Sequence, residues 1–329
     1  MAITSTTVLS DLVKASYERA ILLAFAEVIR WRPFALTPLD PTPEQGNPLN
    51  WTIINQLALV SSALSETTEP TPVSMSDSQV AATLAEYGAV VTLTEKLRKT
   101  SFVGGDLNAL KAIQIVAANM HSSLDALLAT AALAGTNVVY SGGVAGRTSI
   151  GTTNKLSAAD IRKAVTTLAT NKVPRFGDAI DEEGRKVASP GSSYICIAHP
   201  HALHDLKSET GAGSWRAPKE YADPAGIYEG EIGMFEGARF IEDASGAALV
   251  ADASNGAGAA GTIDVYRTQL LGQQYLGEAG VTEELRVTGP FDNLGRFLNA
   301  GWYALKGFAR VQEAAGVRIE SASSLGANT

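Results

Sequence analysis

The histidines are the residues of this chain whose type and spacing come closest to a chemical site. Three of the four, His199, His201 and His204, lie close together and are followed by Asp205. Imidazole nitrogens and a carboxylate are ligands for a divalent cation, so one hypothesis is a soluble metal-dependent enzyme. Pro200 separates the first two histidines, however, and the H-E-x-x-H spacing of helical zinc sites is absent. We therefore favour a strand-to-helix turn with partly exposed histidines and predict no metal site.

A second candidate is the glycine-rich segment 256–261, which matches G-x-G-x-x-G, the fingerprint of dinucleotide-binding proteins. That fingerprint requires a strand before it and a helix after it, because the helix N-terminus binds the pyrophosphate. Residues 247–251 have the composition of a strand, but so do residues 262–267, and the helix is missing. The segment is predicted to be a flexible surface loop, and no cofactor is expected.

Other signatures of catalysis are missing from the sequence. It contains neither a G-x-S-x-G nucleophile elbow nor a P-loop, and its single cysteine, Cys196, lies within the apolar run 194–198. A cysteine in such a run is typical of a small buried hydrophobic residue rather than a nucleophile. We therefore predict that the protein is not an enzyme and assign no catalytic residue.

Composition argues against several further classes of protein. The formal net charge of −8 disfavours a nucleic-acid-binding surface of clustered Lys and Arg, although it does not exclude a protein that encloses nucleic acid. One cysteine cannot form an internal disulfide, so a reducing compartment is expected. The N-terminus lacks the pattern of a signal peptide, and no uncharged apolar run is long enough to span a bilayer. Membrane association is not expected.

The elements that would position these residues begin with a predicted helix over residues 8–31, where apolar side chains recur at helical spacing. Five prolines follow between residues 33 and 48, and they forbid a regular helix or a central strand. This segment is predicted to be an extended arm or linker rather than part of a core.

Two strand-like runs, residues 51–64 and 73–97, flank a polar tip at 65–72, an arrangement typical of a long projecting β-hairpin. No Lys or Arg occurs from residue 33 to residue 95. The acidic residues in the same range are Asp40, Glu44, Glu66, Glu69, Asp77, Glu86 and Glu95. A charged run is usually a solvated face, which is the default interpretation. The alternative is a projection that lies on a basic patch of another subunit, where complementary charge fixes its register.

A strand that leads into a long helix is the most regular pattern in the chain. Residues 85–94 alternate, so that one face of the strand carries Ala85, Tyr87, Ala89, Val91 and Leu93. The helix is predicted to run from Asp106 to the stop at Gly135, a length of roughly 40 Å. Its apolar stripe comprises Leu110, Ile113, Ala117, Met120, Leu124, Leu127, Leu128 and Ala131. Its opposite, polar face comprises Lys111, Asn119, Ser122, Ser123, Asp125 and Thr130.

The second half of the chain mixes helices and strands. A helix is predicted to begin after Ser157, whose Ser-Ala-Ala-Asp start resembles a capping box, and a short helix is predicted near 202–207. Strands are predicted at 194–198, 238–242, 247–251 and 262–267. The alternating segment 301–311 is predicted to be a late strand that returns to the early sheet and closes it.

The order of these elements resembles the Hong Kong 97-type major capsid proteins of tailed phages, and more narrowly the phage N-four-type major capsid family. The segments that carry the resemblance are residues 84–94, 123–125, 197–200, 230–240 and 301–302. The resemblance covers nearly the whole chain from about residue 48 onward. Several motifs in the family's order are more specific than any one of them alone.

The resemblance implies an α+β, Hong Kong 97-type capsid fold in five parts. These are an N-terminal arm (1–48), an extended hairpin loop (49–92), a peripheral domain with its spine helix (93–140), an axial domain (141–290) and a C-terminal return to the peripheral domain (291–329). The hairpin would overlap a neighbouring subunit, and loops of the axial domain would meet around the five- and sixfold axes. A lysine cross-link from the hairpin is not expected, because the hairpin has no lysine.

The function that the resemblance implies is that of a major capsid protein, which self-assembles as pentamers and hexamers into an icosahedral shell. The shell would enclose double-stranded DNA without sequence-specific binding. The expected partners are other copies of the chain, a separate scaffolding protein, a portal and, in some phages, a decoration protein. The expected location is the virion, after assembly in the host cytoplasm. Encapsulin-type nanocompartments share the fold, so a shell around protein cargo stays open beside the metal-dependent enzyme.

Overall fold

The computed structural model describes residues 29–37, 48–61, 63–64, 66–67, 69–100, 112–180, 186–187, 191–209, 228, 231–244, 249–251 and 258–325. The chain divides into two compact units. Among the described residues, unit 1 comprises 88–100, 112–120 and 284–302, and unit 2 comprises the rest.

The described residues form helices and strands in both units. The helices are α1 (Glu95–Thr100), α2 (Ala112–Leu133), α3 (Ala158–Thr170) and α4 (Pro200–Ser208). The strands are β1 (Ala35–Leu36), β2 (Leu49–Ile54), β3 (Asp77–Ala82), β4 (Ala85–Thr94), β5 (Val138–Tyr140), β6 (Ala179–Ile180), β7 (Lys186–Val187), β8 (Tyr194–Ala198), β9 (Glu231–Phe235), β10 (Ala238–Glu242), β11 (Val250–Ala251), β12 (Val265–Leu271), β13 (Leu276–Phe291), β14 (Phe297–Arg310) and β15 (Gly316–Ser321).

Unit 2 is built around a seven-stranded sheet in the order β5-β15-β12-β8-β10-β9, with β11 paired to β12. Every residue of the central strand β8 is buried, which explains why its sequence is an uninterrupted apolar run. Strand β10 is parallel to β8, whereas β12 is antiparallel to it. The predicted strands at 194–198 and 238–242 are therefore confirmed, and Cys196 is buried.

Helix α3 begins where its capping box predicted. The Ser157 hydroxyl accepts the Asp160 N–H at 3.3 Å, while the Asp160 carboxylate accepts the Ser157 N–H at 3.2 Å. Two of the first N–H groups, which have no partner inside a helix, are thereby satisfied. Ile161, Ala164 and Leu168 of α3 are buried in the core of unit 2.

A four-stranded sheet has the order β1-β13-β14-β4. Strand β4 has the predicted bounds, but it is exposed along most of its length, and Leu93 alone of the predicted face is buried. Within unit 1, the Glu95 N–H donates to the Arg296 carbonyl at 2.8 Å, and the Thr92 hydroxyl donates to Asn299 Oδ1 at 2.7 Å. Strand β14 confirms the predicted late strand and its return to the sheet that contains β4.

Helix α2 confirms the long helix, which the sequence placed at 106–135; residues 106–111 lie outside the described part of the chain. Within unit 2, Leu124 and Leu128 of the predicted stripe are buried. The assignment of Asp125 to the polar face was wrong, because this side chain is only 4% exposed. Its carboxylate bonds to residues that are far away in sequence, as described below.

Gly135 follows the last turn of α2, but its role differs from that of a left-handed helix stop. It does not adopt a positive φ, and a Cβ at this position would lie 2.6 Å from the Tyr275 hydroxyl. That hydroxyl donates to the Ala132 carbonyl at 2.7 Å. The glycine therefore makes room for a tyrosine that binds a carbonyl at the end of the helix, where the Gly135 N–H is a second, longer donor at 3.4 Å.

The predicted long hairpin is paired over a much shorter stretch. Strands β2 and β3 pair in antiparallel fashion from Leu49↔Ala82 to Ile54↔Asp77, and the next bond joins the Asn55 N–H to the Ser76 carbonyl at 3.0 Å. The described residues between 55 and 76 form no strand. The predicted second run, 73–97, is divided into β3, β4 and the start of α1.

Several other expectations from the sequence need correction. Most of the helix predicted at 8–31 lies outside the described residues, and its last three residues, 29–31, are not helical. The strand predicted at 262–267 begins later, as β12, and within the strand predicted at 247–251 the structure describes residues 249–251, of which β11 comprises the last two. Strands β13 and β15 were not predicted.

Candidate functional site

The predicted histidine cluster forms the turn between β8 and α4. His199 is the N-cap of α4, and its Nδ1 accepts the His201 N–H at 3.2 Å. His201 Nδ1 lies 2.9 Å from the Tyr266 hydroxyl. Burial lowers the pKa of His199 to about 4, with a further contribution from His201. The imidazole of His199 is therefore neutral at pH 7 and serves as a cap at a strand-to-helix turn.

Asp205 is bonded to a distant backbone segment rather than aimed at a shared ligand position. It accepts the Ser324 N–H at 2.8 Å and the Ser324 hydroxyl, and Lys155 Nζ lies 3.8 Å away. Burial acts to raise the pKa of Asp205, but the bonds from Ser324 and the charge of Lys155 outweigh it and lower the pKa. Among the described residues, no three His, Cys, Asp or Glu side chains are grouped so that they could hold a metal ion.

The glycine-rich segment also has an arrangement unlike a dinucleotide site. Residues 256–257 lie outside the described part, and Ala259–Gly261 form a single 3-10 turn that is followed by β12 rather than by a helix. A Cβ at Gly258 would lie 2.6 Å from the side chain of Ile263, so this glycine permits close packing of the loop. The predicted reason for rejecting a pyrophosphate site, the missing helix, is confirmed.

The loop between β2 and β3, residues 55–76, exposes many large apolar side chains to solvent. The rest of the described chain does not cover them. Its base is packed, because Leu49 and Ala82 are buried against Ala279. The large apolar side chains that are more than half exposed in and beside the loop are Ile54, Leu57, Leu59, Val60, Leu64, Val73 and Met75. Apolar surface of this extent marks an interaction site in soluble proteins.

Side chains from four segments of unit 2 meet beside strand β13 and form what we call the ionic cluster: Arg32, Glu278, Glu283 and Lys306, with the imidazole of His121 beside them. Arg32 Nη2 lies 2.8 Å from Glu278 Oε1 and 2.9 Å from Glu283 Oε2. Lys306 Nζ lies 2.8 Å and 3.1 Å from the same two oxygens. His121 Nδ1 lies 3.7 Å from Glu283 Oε1.

The ionic cluster keeps its carboxylates ionised although they are largely removed from water. Burial raises the pKa of Glu278 and of Glu283, but hydrogen bonds and charge from Arg32 and Lys306 outweigh it and lower both pKa values. Sequence reasoning missed this cluster, since Arg32 and Glu278 are separated by 246 positions. The periodicity of a short segment cannot predict a contact between residues so far apart in the sequence.

Comparison with known proteins gives the family. A profile of the phage capsid protein family matches residues 38–318. The chain belongs to this family. No curated protein sequence matches the chain.

Solved structures agree with this membership at the level of the fold. The capsid of Ralstonia phage GP4 matches with a TM-score of 0.73 and 13% identity, over 95% of this chain and 96% of that one. The cyanophage Pam1 capsid matches with a TM-score of 0.69 and 15% identity, over 96% and 98%. The head of the Helicobacter pylori bacteriophage KHP40 matches with a TM-score of 0.65 and 14% identity, over 98% of both chains.

These findings confirm the resemblance noted in the sequence. The fold is the α+β, Hong Kong 97-type capsid fold, and the protein is a major capsid protein, a structural subunit of the phage head shell rather than an enzyme. Its location is the capsid of the virion, where copies of the chain associate into a shell. No helix among the described residues is long and apolar enough to cross a membrane.

The ionic cluster predicts a specific acid sensitivity. Because the pKa of Glu278 is lowered in the folded protein, its contribution to stability is present above the ordinary pKa of 4.5 and is lost as the pH falls through the folded value. Glu278→Gln should therefore lower the free energy of unfolding at pH 7 by about 1–3 kcal/mol, since Arg32 and Lys306 lose a charged partner. It should also flatten the loss of stability below about pH 4.5. Urea unfolding across pH measures both effects.

The matched control is Glu284→Gln, which changes an exposed glutamate on the same strand that is paired with Arg286. We expect this variant to keep the stability of the parent protein at pH 7. Equal stability of the two variants, or an unchanged pH profile for Glu278→Gln, would refute the role assigned to the ionic cluster.

Proposed function

We propose that this chain forms pentamers and hexamers of an icosahedral head shell that encloses double-stranded DNA. The observation that carries the proposal is the exposed apolar loop, residues 55–76, on a chain of the phage capsid family. A subunit that remained monomeric would leave this surface in water, whereas association with a second copy would bury it. The mechanism is association between copies and involves no chemical step.

The five parts expected from the sequence supply the roles in this proposal. Residues 1–48 serve as the arm, 49–92 as the extended loop, 93–140 as the peripheral domain with the spine helix, 141–290 as the axial domain, and 291–329 as the C-terminal return. The short pairing of β2 with β3 supports the role of the extended loop, because the described residues between 55 and 76 form no strand that would hold them in one conformation against a neighbour.

Charge supports a basic surface on a second copy as the partner of this loop. Glu66 and Glu69 are exposed, and the segment from residue 33 to residue 95 has no Lys or Arg. Helix α1, by contrast, carries Lys96, Arg98 and Lys99 within six residues, with Lys96 and Lys99 exposed. Complementary charges of this kind favour the correct register of two copies more than they add affinity.

The enclosed DNA and the other partners belong to the same proposal. A net charge of −8 suits a shell that encloses DNA without gripping it. We place assembly in the host cytoplasm, with a scaffolding protein, a portal and, in some phages, a decoration protein as further partners. Expression of the chain alone tests the need for scaffolding, because efficient closure into regular shells without any partner would remove that part of the proposal.

Shortening the loop should abolish assembly without unfolding the subunit. Replacement of residues 57–74 by a short Gly-Ser linker keeps β2, β3 and the Asn55–Ser76 bond, but it removes most of the exposed apolar side chains. The expected result is a folded protein with an unchanged circular dichroism spectrum that sediments as free subunits or capsomers. Shells of normal appearance in electron micrographs of this variant would contradict the proposed role of the loop.

Reversal of charge in the loop should weaken assembly in a salt-dependent way. Glu66→Lys with Glu69→Lys places like charges against the proposed basic surface, so the yield of shells at low ionic strength should fall by about tenfold and recover partly at high salt. Adding Lys96→Glu and Lys99→Glu restores opposite charges and should raise the yield again. Light scattering during assembly measures the yield. A yield that is the same in all variants and at all ionic strengths would argue against α1 as the surface that binds the loop.

A further inference from the structure

Trp31 is the residue around which the described N-terminal part of the chain is organised. Its side chain is 0% exposed, and its indole N–H donates to Asp243 Oδ2 at 2.8 Å. The residue lies upstream of the segment that matches the family profile, which begins at residue 38. A fully buried tryptophan in a segment predicted to be an arm requires an explanation, because arms are expected to lie at the surface.

Asp125 of helix α2 binds the same segment through its backbone. Its Oδ1 accepts the N–H groups of Trp31 at 3.0 Å and of Arg32 at 2.9 Å, and its Oδ2 accepts the Arg30 N–H at 2.9 Å. One carboxylate thus satisfies three consecutive peptide N–H groups that would otherwise lack acceptors. We call residues 30–32 with Asp125 and Asp243 the Trp31 anchor.

The residues after the Trp31 anchor extend the same attachment over the surface of unit 2. The Arg32 side chain enters the ionic cluster, and Phe34 packs edge-on against Phe176 and Tyr228 with ring centroids 5.5 Å and 5.3 Å apart. Strand β1 then pairs in parallel with the start of β13, from Ala35↔Leu276 to Leu36↔Gly277. Residues 30–36 are therefore attached by backbone, charge and aromatic contacts.

Stability of the fold alone explains this attachment poorly. Burial raises the pKa of Asp125, and the nearby charge of Asp243 raises it further, against the three N–H bonds that lower it. Two carboxylates beside one tryptophan are a costly way to bury apolar surface, and apolar side chains would do so without that cost. What carboxylates add is direction, because hydrogen bonds fix the position and course of the backbone at residues 30–32.

We propose that Asp125 and Asp243 are positioning residues that hold Trp31, fix the course of the backbone at residues 30–36 on unit 2, and thereby make the N-terminal part of the chain competent for shell assembly. This inference rests on the proposed function in one respect, namely that the arm contacts other copies in the shell. It revises one part of the arm proposed at residues 1–48. Residues 30–36 become part of the body of unit 2.

Limited proteolysis of the full-length protein tests the anchor directly, because trypsin cleaves after Arg30 only if residues 30–32 leave Asp125. In Asp125→Asn the side chain has one acceptor oxygen, so at least one peptide N–H faces an amide donor. We expect cleavage after Arg30, measured by mass spectrometry under native conditions, to become roughly tenfold faster or more. Trp31→Phe, which keeps an aromatic ring but cannot donate to Asp243, should raise the same cleavage to a smaller extent.

The matched control is Asp160→Asn, which changes another buried aspartate of unit 2 that accepts a peptide N–H, here at the N-cap of α3. This variant should lose stability yet keep slow cleavage after Arg30. The assembly yield of each variant is then measured by sedimentation and electron microscopy. Asp125→Asn should lose regular shells, whereas Asp160→Asn should retain them below its melting temperature.

The outcomes separate the two proposals. Unchanged cleavage after Arg30 in both Asp125→Asn and Trp31→Phe overturns the anchor, whatever the assembly yield. Faster cleavage with a normal yield of regular shells overturns the link between the anchor and assembly, and leaves the proposed function intact. These yields are measured with the scaffolding protein co-expressed, and if the parent protein forms no shell even then, the proposed function fails on that result alone, independently of the cleavage pattern.

Discussion

A buried peptide N–H needs an acceptor, and at residues 30–32 three of them share the single carboxylate of Asp125. Around this interaction unit 2 brings together parts of the chain that are far apart in sequence. Helix α2 supplies Asp125, and the end of β10 is followed by Asp243. Strand β13 supplies Glu278 and Glu283, which pair with Arg32, and Lys306 of β14 pairs with the same two carboxylates. If the segment were released, unit 2 would be left with buried carboxylates that have lost their donors, which is costly.

The opposite condition holds in the loop between β2 and β3. There the backbone of the described residues 55–76 forms no strand, and large apolar side chains face water. The same chain thus provides acceptors for the peptide N–H groups of residues 30–32 and leaves an apolar surface uncovered in the loop. In a protein of the phage capsid family this contrast has a simple meaning, because the subunit is complete only as part of a shell. The attached segment fixes the course of the backbone at residues 30–36, and the loop supplies a surface for association.

Sequence patterns predicted the helices and strands that depend on interactions between residues close together in the chain. The alternation of β4, the capping box of α3 and the apolar run of β8 each depend on neighbours along the chain, and each was found at the predicted place. The long helix was also predicted, but the assignment of Asp125 to its solvent-exposed face was wrong. The sequence around Asp125 does not distinguish a buried aspartate from an exposed one. Its hydrogen-bond donors, such as the Trp31 N–H, are about ninety positions away in sequence.

The same reason explains the other failures. Strand β13 has glycines at 277, 280 and 289 and shows no steady alternation, so its strand conformation is decided by pairing with β14 and β1. The uniform composition of residues 73–97 predicts one strand, whereas β3 pairs with β2 in one sheet, β4 pairs with β14 in another, and the run ends in α1. The capsid family could be recognised from the order of the elements, but the ionic cluster and the Trp31 anchor depend on contacts across the fold.

The central claim is that an apolar loop left exposed by the subunit is buried between copies in a closed shell. Electron cryomicroscopy of particles assembled from the full-length chain measures this most directly. The account predicts closed icosahedral particles built from pentamers and hexamers, in which residues 54–76 of each subunit lie on a neighbouring subunit and exclude water from Leu59 and Val60. Particles in which this loop contacts only its own chain, or remains exposed to solvent, would contradict it.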